Sequence, residues 1–146
     1  MQYQKFFPYP TYRESQEKII QQIEQSARSK KNILLSAPNG TGKTVIALSG
    51  LLPIAIEKDL KIIYLCRTHA QNSRVIRELK KISKLFSDSN SITQINGLSI
   101  RGRNEMCLNE MLLDLKASPR ESMSVCSDLR KNRNCKYFLN LLKKKR

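Results

Sequence analysis

Asn32–Leu48 reads NILLSAPNGTGKTVIAL: an apolar run, a turn rich in small residues, then a second apolar run. The first run, NILLSA, has the length and bulk of a buried strand, and a proline–asparagine–glycine turn ends it. From Thr44 to Glu57 the pattern is helical, with a kink or an end expected at Pro53. Between the two lies Ala37–Thr44, APNGTGKT, which fits the phosphate-loop form except that Ala37 stands where a first glycine is expected. Gly40 and Gly42 let the backbone curl, with Pro38, Asn39 and Thr41, so that N–H groups point inward at phosphate oxygens. Lys43 supplies a charge to the β- and γ-phosphates. Thr44 offers a hydroxyl to Mg²⁺ at a helix start that itself favours anions. A strand, this loop and a helix in that order form the context the motif requires. The stretch reads as a nucleoside-triphosphate site.

Working outward, Leu60–Cys66 (LKIIYLC) reads as a second buried strand and Ser91–Ile95 as a third. Residues 11–29 place Ile19, Ile20, Ile23 and Ala27 at helical spacing. Residues 70–86 set Val75, Ile76, Leu79, Ile82 and Leu85 on one face of a helix whose other face is rich in arginine and lysine. Strand alternating with helix predicts βαβ units and a parallel sheet. Past residue 104 the alternation stops and short helices between cysteines are expected. The reading therefore divides the chain into 1–104 and 105–146.

With 146 residues the chain has room for a real core, and 27 basic against 12 acidic residues give it a net charge of +15. The excess grows along the chain: 8 basic and 5 acidic groups in residues 1–60, 7 and 2 in 61–100, and 12 and 5 in 101–146. Such a field favours polyanionic partners, with nucleic acid first and a solvated basic surface as the plain alternative. The start, MQYQKFFPYP, has no signal-peptide pattern, and the apolar stretch VIALSGLLPIAI is too short and too interrupted to span a membrane. A soluble intracellular protein without a membrane partner is expected. Scattered cysteines in a reducing compartment point to metal or redox chemistry more than to disulfides.

Gln16 lies some twenty residues before the loop, where its amide is suited to reading one edge of adenine and so preferring ATP to GTP. Arg13 or Tyr12 is placed to stack on the base. Considered alone, Gln16 is an ordinary helix-surface residue and the aromatics are ordinary packing.

FPYPTYRESQ, SAPNGTGKT, IIYLCRTHAQNSRVIRELKKI and a cysteine-rich segment follow one another here. In that order they resemble the iron–sulfur branch of the superfamily-2 DNA helicases, typified by XPD, FANCJ and the telomere-length regulating helicase. The resemblance covers nearly the whole chain. It implies an adenine motif at Gln16, a phosphate loop at Ala37–Thr44 and a DNA-backbone motif at Arg67–Gln71. Arg67, Thr68, His69, Gln71 and the nearby Arg74 are polar groups suited to phosphate and sugar contacts. For His69 alone, a loop histidine satisfied by a neighbour is the plain reading, and the basic face of the 70–86 helix is equally a solvated one.

An acidic strand end to hold Mg²⁺ and orient water would complete such a motor, yet no DE or DD pair occurs in the chain. The chain thus reads as the N-terminal part of a helicase, ending before its catalytic acid, with no catalytic residue of its own. The cysteines Cys107, Cys126 and Cys135 are spaced C-x18-C-x8-C, without the close pairs of a zinc ribbon. Wide spacing among helices suits a cubane cluster. The resemblance maps ligands of a [4Fe–4S] cluster onto these three, with the fourth beyond Arg146. Cys66 is expected to behave as a small buried hydrophobe.

The expectation is thus an α/β fold of the P-loop NTPase (RecA-like) kind, its parallel sheet incomplete, followed by a mainly helical iron–sulfur insertion. ATP, Mg²⁺ and the cluster are its cofactors, and single-stranded or forked DNA its partner. The family implies ATP-driven unwinding with 5′–3′ polarity and a nuclear or cytoplasmic setting according to the host. The rival readings are a non-catalytic ATP- and DNA-binding module, and a P-loop ATPase with structural zinc.

Overall fold

The computed structural model describes residues 2–87, 95–102, 105–115 and 117–143. It divides into two compact units, Met1–Ser99 and Ile100–Arg146. In the first, a 3-10 turn (Gln2–Phe6) precedes α1 (Gln16–Arg28), α2 (Lys43–Glu57) and α3 (His69–Ser87). The second holds α4 (Glu110–Asp114), α5 (Pro119–Lys131) and α6 (Lys136–Lys143).

In the first unit α1 lies against α2, because Ile20 and Ile23 share one face of α1 and meet Val45 and Ile46 with Tyr3 and Phe7. The approach is close at Gly50, where a Cβ would stand 2.8 Å from the Ile23 Cγ2 and 3.2 Å from the Ile20 carbonyl oxygen. A second cluster joins Phe6, Leu48 and Leu52 to Val75 and Ile82 of α3, with Leu79, Phe86 and Cys66 packed against it. Buried Ser49 donates to the Phe6 carbonyl at 2.9 Å and fixes the 3-10 turn on α2. Arg28 pairs with Glu24 at 2.9 Å and Glu57 at 2.8 Å, closing the far ends of α1 and α2. The helix does not end at Pro53, and α2 runs through it to Glu57. Leu52, Pro53, Ile54 and Ala55 are all buried there, and that packing outweighs one missing backbone bond.

The expected parallel sheet is overturned: among the described residues there is no strand at all, only helices, turns and irregular segments. The apolar runs read as strands at 32–37 and 60–66 have no regular structure and form no ladder. Their side chains are also not buried as a sheet requires, since Leu34 is 99% exposed, Ile63 84% and Leu65 88%. An apolar run acquires strand structure only from a neighbouring backbone that takes up its N–H and C=O groups. Neither run supplies that neighbour to the other. The third expected strand, Ser91–Ile95, lies almost wholly outside the described residues, and its last residue Ile95 packs against the second core cluster.

In the second unit Leu112 of α4 is buried. Helix α5 opens with a complete capping box: Ser118 Oγ accepts from the Glu121 N–H, and the Glu121 carboxylate accepts from the Ser118 N–H at 2.8 Å. Arg130 of α5 lies over the Phe138 ring of α6, 4.6 Å from its centre. No helix of the described residues is long and apolar enough to cross a membrane.

Candidate functional site

The loop at 37–44 follows the irregular 32–38 segment and curls at Gly40 and Gly42, whose φ angles are 89° and 79°. That left-handed conformation is open to glycine and costly for other residues. Gly42 ends the loop as the N-cap of α2, with no side-chain cap and no acidic residue in the first turn. The N–H groups at that end and the positive pole of the helix are left for an anion. Lys43 Nζ donates to the carbonyls of Ala37 at 2.8 Å and Pro38 at 2.7 Å. The Thr41 hydroxyl also donates to the Pro38 carbonyl.

Two residues before α1's second turn hold this loop from outside. Gln16 is buried, 4% exposed, and its Nε2 donates to the Thr41 carbonyl at 2.7 Å. Its Oε1 accepts from the Arg13 N–H at 2.9 Å. The Arg13 guanidinium donates to the Gly40 carbonyl. Both ends of the Gln16 amide are therefore engaged within the chain. Tyr12 stacks on Phe7 with ring centres 4.3 Å apart. Burial, and then the Glu17 carboxylate, push its phenol above the ordinary tyrosine range.

Beside the loop is a cavity of about 480 Å³. Gly40, Gly42, Lys43 and Thr44 form one wall, and Gln71, Arg74 and Glu78 of α3 form another, over a floor that includes Val45, Cys66 and Val75. The aromatic side chains that reach it are Tyr9 and Tyr64 rather than Tyr12. Tyr9 donates to Glu78 Oε2 at 2.7 Å, and Lys81 donates to the Tyr9 hydroxyl at 2.8 Å and to Glu78 Oε1 at 3.1 Å. Those bonds, to Tyr9 first and Glu78 second, hold the Lys81 ammonium above the ordinary lysine range. The sequence reading missed Tyr9 and Glu78, because 69 residues separate them and no local pattern links them.

The RTHAQ residues are placed at the start of α3. Gln71 Oε1 accepts from the Arg67 N–H at 3.1 Å and the Thr68 N–H at 3.3 Å, while the Gln71 N–H donates to Thr68 Oγ1 at 3.3 Å. This is a capping box, and its T-x-x-Q signature was legible in the sequence. Arg67 and His69 are exposed beside it.

The cysteines do not assemble. Cys66, Cys107, Cys126 and Cys135 are half-buried free thiols. Among the described residues no three histidine, cysteine or acidic side chains are grouped to hold a metal ion. Cys107, Cys126 and Cys135 as placed therefore do not fit a cluster, and they do not fit zinc. The loop does fit a nucleotide phosphate chain, through its curled backbone, uncapped helix start and lysine.

The DEAD_2 family model matches residues 64–146. A probable ATP-dependent helicase of Methanocaldococcus jannaschii is 32% identical over 97 residues, 62% of this chain and 15% of that protein. The general transcription and DNA repair factor IIH helicase subunit XPD of Arabidopsis thaliana is 25% identical over 112 residues, 74% of this chain and 15% of the relative. Its counterpart XPD/RAD3 in Saccharomyces cerevisiae is 31% identical over 108 residues, 70% of this chain and 14% of the relative. No solved structure matches. The chain thus spans about 15% of the length of the curated relatives it matches. With the family model covering more than half of its residues, the chain belongs to the DEAD_2 family, among the XPD-like helicases of superfamily 2.

Proposed function

We propose that the chain is the nucleotide-binding part of an ATP-dependent DNA helicase, taking Mg·ATP at Gly40–Thr44. The observation that carries this reading is the Lys43 ammonium beside the uncapped start of α2, on the wall of a cavity of about 480 Å³. Thr44 is the Mg²⁺ contact, and the nucleotide's own phosphates complete the ion's shell. Gln16 and Arg13 act on the nucleotide through the loop backbone that they hold. Nucleic acid is proposed to lie along Arg67 and His69 and the wider basic surface, with single-stranded or forked DNA as substrate. Unwinding, its polarity and a part in DNA repair belong to the reading of a whole helicase of this family.

Binding without turnover is expected of this chain by itself. The cavity's carboxylate, Glu78, is taken up by Tyr9 and Lys81 and is not free to organise a water. Equilibrium titration with Mg·ATP tests the reading: the chain binds, and Lys43→Ala weakens binding by about 10–100-fold, the worth of a charge-assisted contact. Equal affinity in the two proteins would remove the site. DNA-stimulated phosphate release that is lost in Lys43→Ala would remove the binding-only expectation.

An iron–sulfur cluster on this segment is a further proposal with narrower support: the cysteine-bearing segment 107–135 lies wholly inside the family match. As the thiols are not assembled, no role in the site is drawn through a cluster. Iron and sulfide content after anaerobic reconstitution decides it, with Cys107, Cys126 and Cys135 each changed to serine. Zinc recovered without colour would favour the structural-zinc alternative.

A further inference from the structure

Arg74 was expected on the nucleic-acid side, yet it lines the same cavity as Lys43 and Thr44. On α3 the residues 71, 74, 75 and 78 recur at helical spacing and share the face turned to that cavity. Their chemistry is unequal. Val75 is buried in the core cluster. The Gln71 side-chain oxygen is committed to the N–H groups of Arg67 and Thr68. The Glu78 carboxylate is committed to Tyr9 and Lys81. Arg74 is exposed and has no hydrogen bond or ion pair among the described residues.

Two cations, Lys43 and Arg74, thus stand on different walls of one cavity whose carboxylate is already neutralised. A single small anion at the loop would satisfy Lys43 and the α2 start and leave Arg74 unused. A chain of phosphates carries several anionic groups for the cations of both walls, and a guanidinium offers it a planar fork of donors.

We propose that Arg74 is a second cationic anchor for the phosphate chain of the nucleotide, not a contact to the nucleic-acid backbone. This rests on the nucleotide-site reading given above. It makes the start of α3 a wall of the nucleotide site, so that a bound triphosphate bridges α2 and α3.

The test uses the whole chain and four proteins: wild type, Arg74→Ala, Arg74→Lys and Lys43→Ala, with circular dichroism confirming equal helix content. Each is titrated with Mg·ATP, with Mg·tripolyphosphate, and with single-stranded DNA over a range of salt. Arg74→Ala should weaken both phosphate ligands about tenfold, the loss of one charge-assisted contact at a solvated site. Arg74→Lys should fall between, because it keeps the charge and loses the fork. The salt slope for DNA should not move. If Arg74→Ala binds Mg·ATP like wild type while Lys43→Ala does not, the proposal fails and the nucleotide site stands. A DNA salt slope reduced by about one in Arg74→Ala, with phosphate affinity intact, returns Arg74 to nucleic acid and also overturns it. No binding of Mg·ATP by wild type would sink both readings.

Discussion

The Gln16 amide nitrogen donates to the Thr41 carbonyl at 2.7 Å, joining the first turn of α1 to the glycine-rich loop at 37–44. The same amide accepts from the Arg13 N–H, so one buried side chain fixes two backbone segments. Gln16→Ala leaves both unsatisfied and should lower stability by about 1–3 kcal/mol. It should also weaken ATP and GTP by the same factor, since the loop and not the base is disturbed. Loss confined to ATP would assign the amide to the adenine edge instead.

Gly40 and Gly42 separate two effects that glycine substitutions usually mix. Alanine at either position bears the strain of a positive φ, about 1–2 kcal/mol. At Gly40 the new Cβ meets nothing within 4 Å. At Gly42 it would stand 2.7 Å from Gln16 Nε2 and 3.3 Å from Val45 Cγ1. Gly42→Ala should therefore be the more destabilising in urea unfolding and the more harmful to nucleotide binding. Equal effects would mean that the Gln16 contact contributes nothing.

The capping box of Thr68 and Gln71 gives α3 its start. Gln71→Ala frees the N–H groups of Arg67 and Thr68 and should cost about 1 kcal/mol. Gln71→Glu keeps the acceptor, so stability should hold while the added charge repels DNA phosphate. A glutamate variant that binds single-stranded DNA as well as wild type would place this turn away from nucleic acid.

The α5 capping box carries a pH signature. Hydrogen bonding to Ser118, side chain first and backbone second, holds the Glu121 carboxyl below the usual glutamate range. A depressed folded value means the support for α5 is present above the unfolded value, about 4.3. It is lost as pH falls through the lower folded one. Helix content of wild type should drop over that acidic window more than that of Glu121→Gln, which starts lower and varies less. Parallel curves would remove the carboxylate from the cap.

Local pattern accounts for what could be read in advance. The helix expected over 70–86 is observed over His69–Ser87, because the spacing of Val75, Leu79 and Ile82 encodes its buried face without help from distant residues. The runs at 32–37 and 60–66 were misread because a strand is a property of two segments, and apolar content names only one of them. The cavity wall formed by Tyr9 and Glu78 was invisible for the same reason. The turn at Gly40 and Gly42 was legible in the sequence, while the bond from Gln16 that braces it required a fold to be seen.

Lys43 donates to its own loop, on the carbonyls of Ala37 and Pro38. Arrival of a phosphate is therefore an exchange of partners, and the heat released is the difference between two sets of bonds. The loop acts as a threshold: an anion must outcompete two carbonyl dipoles before the lysine will leave them. If a phosphate binds here as proposed, discrimination among anions is then set by the existing bonds of the lysine as much as by the shape of the pocket.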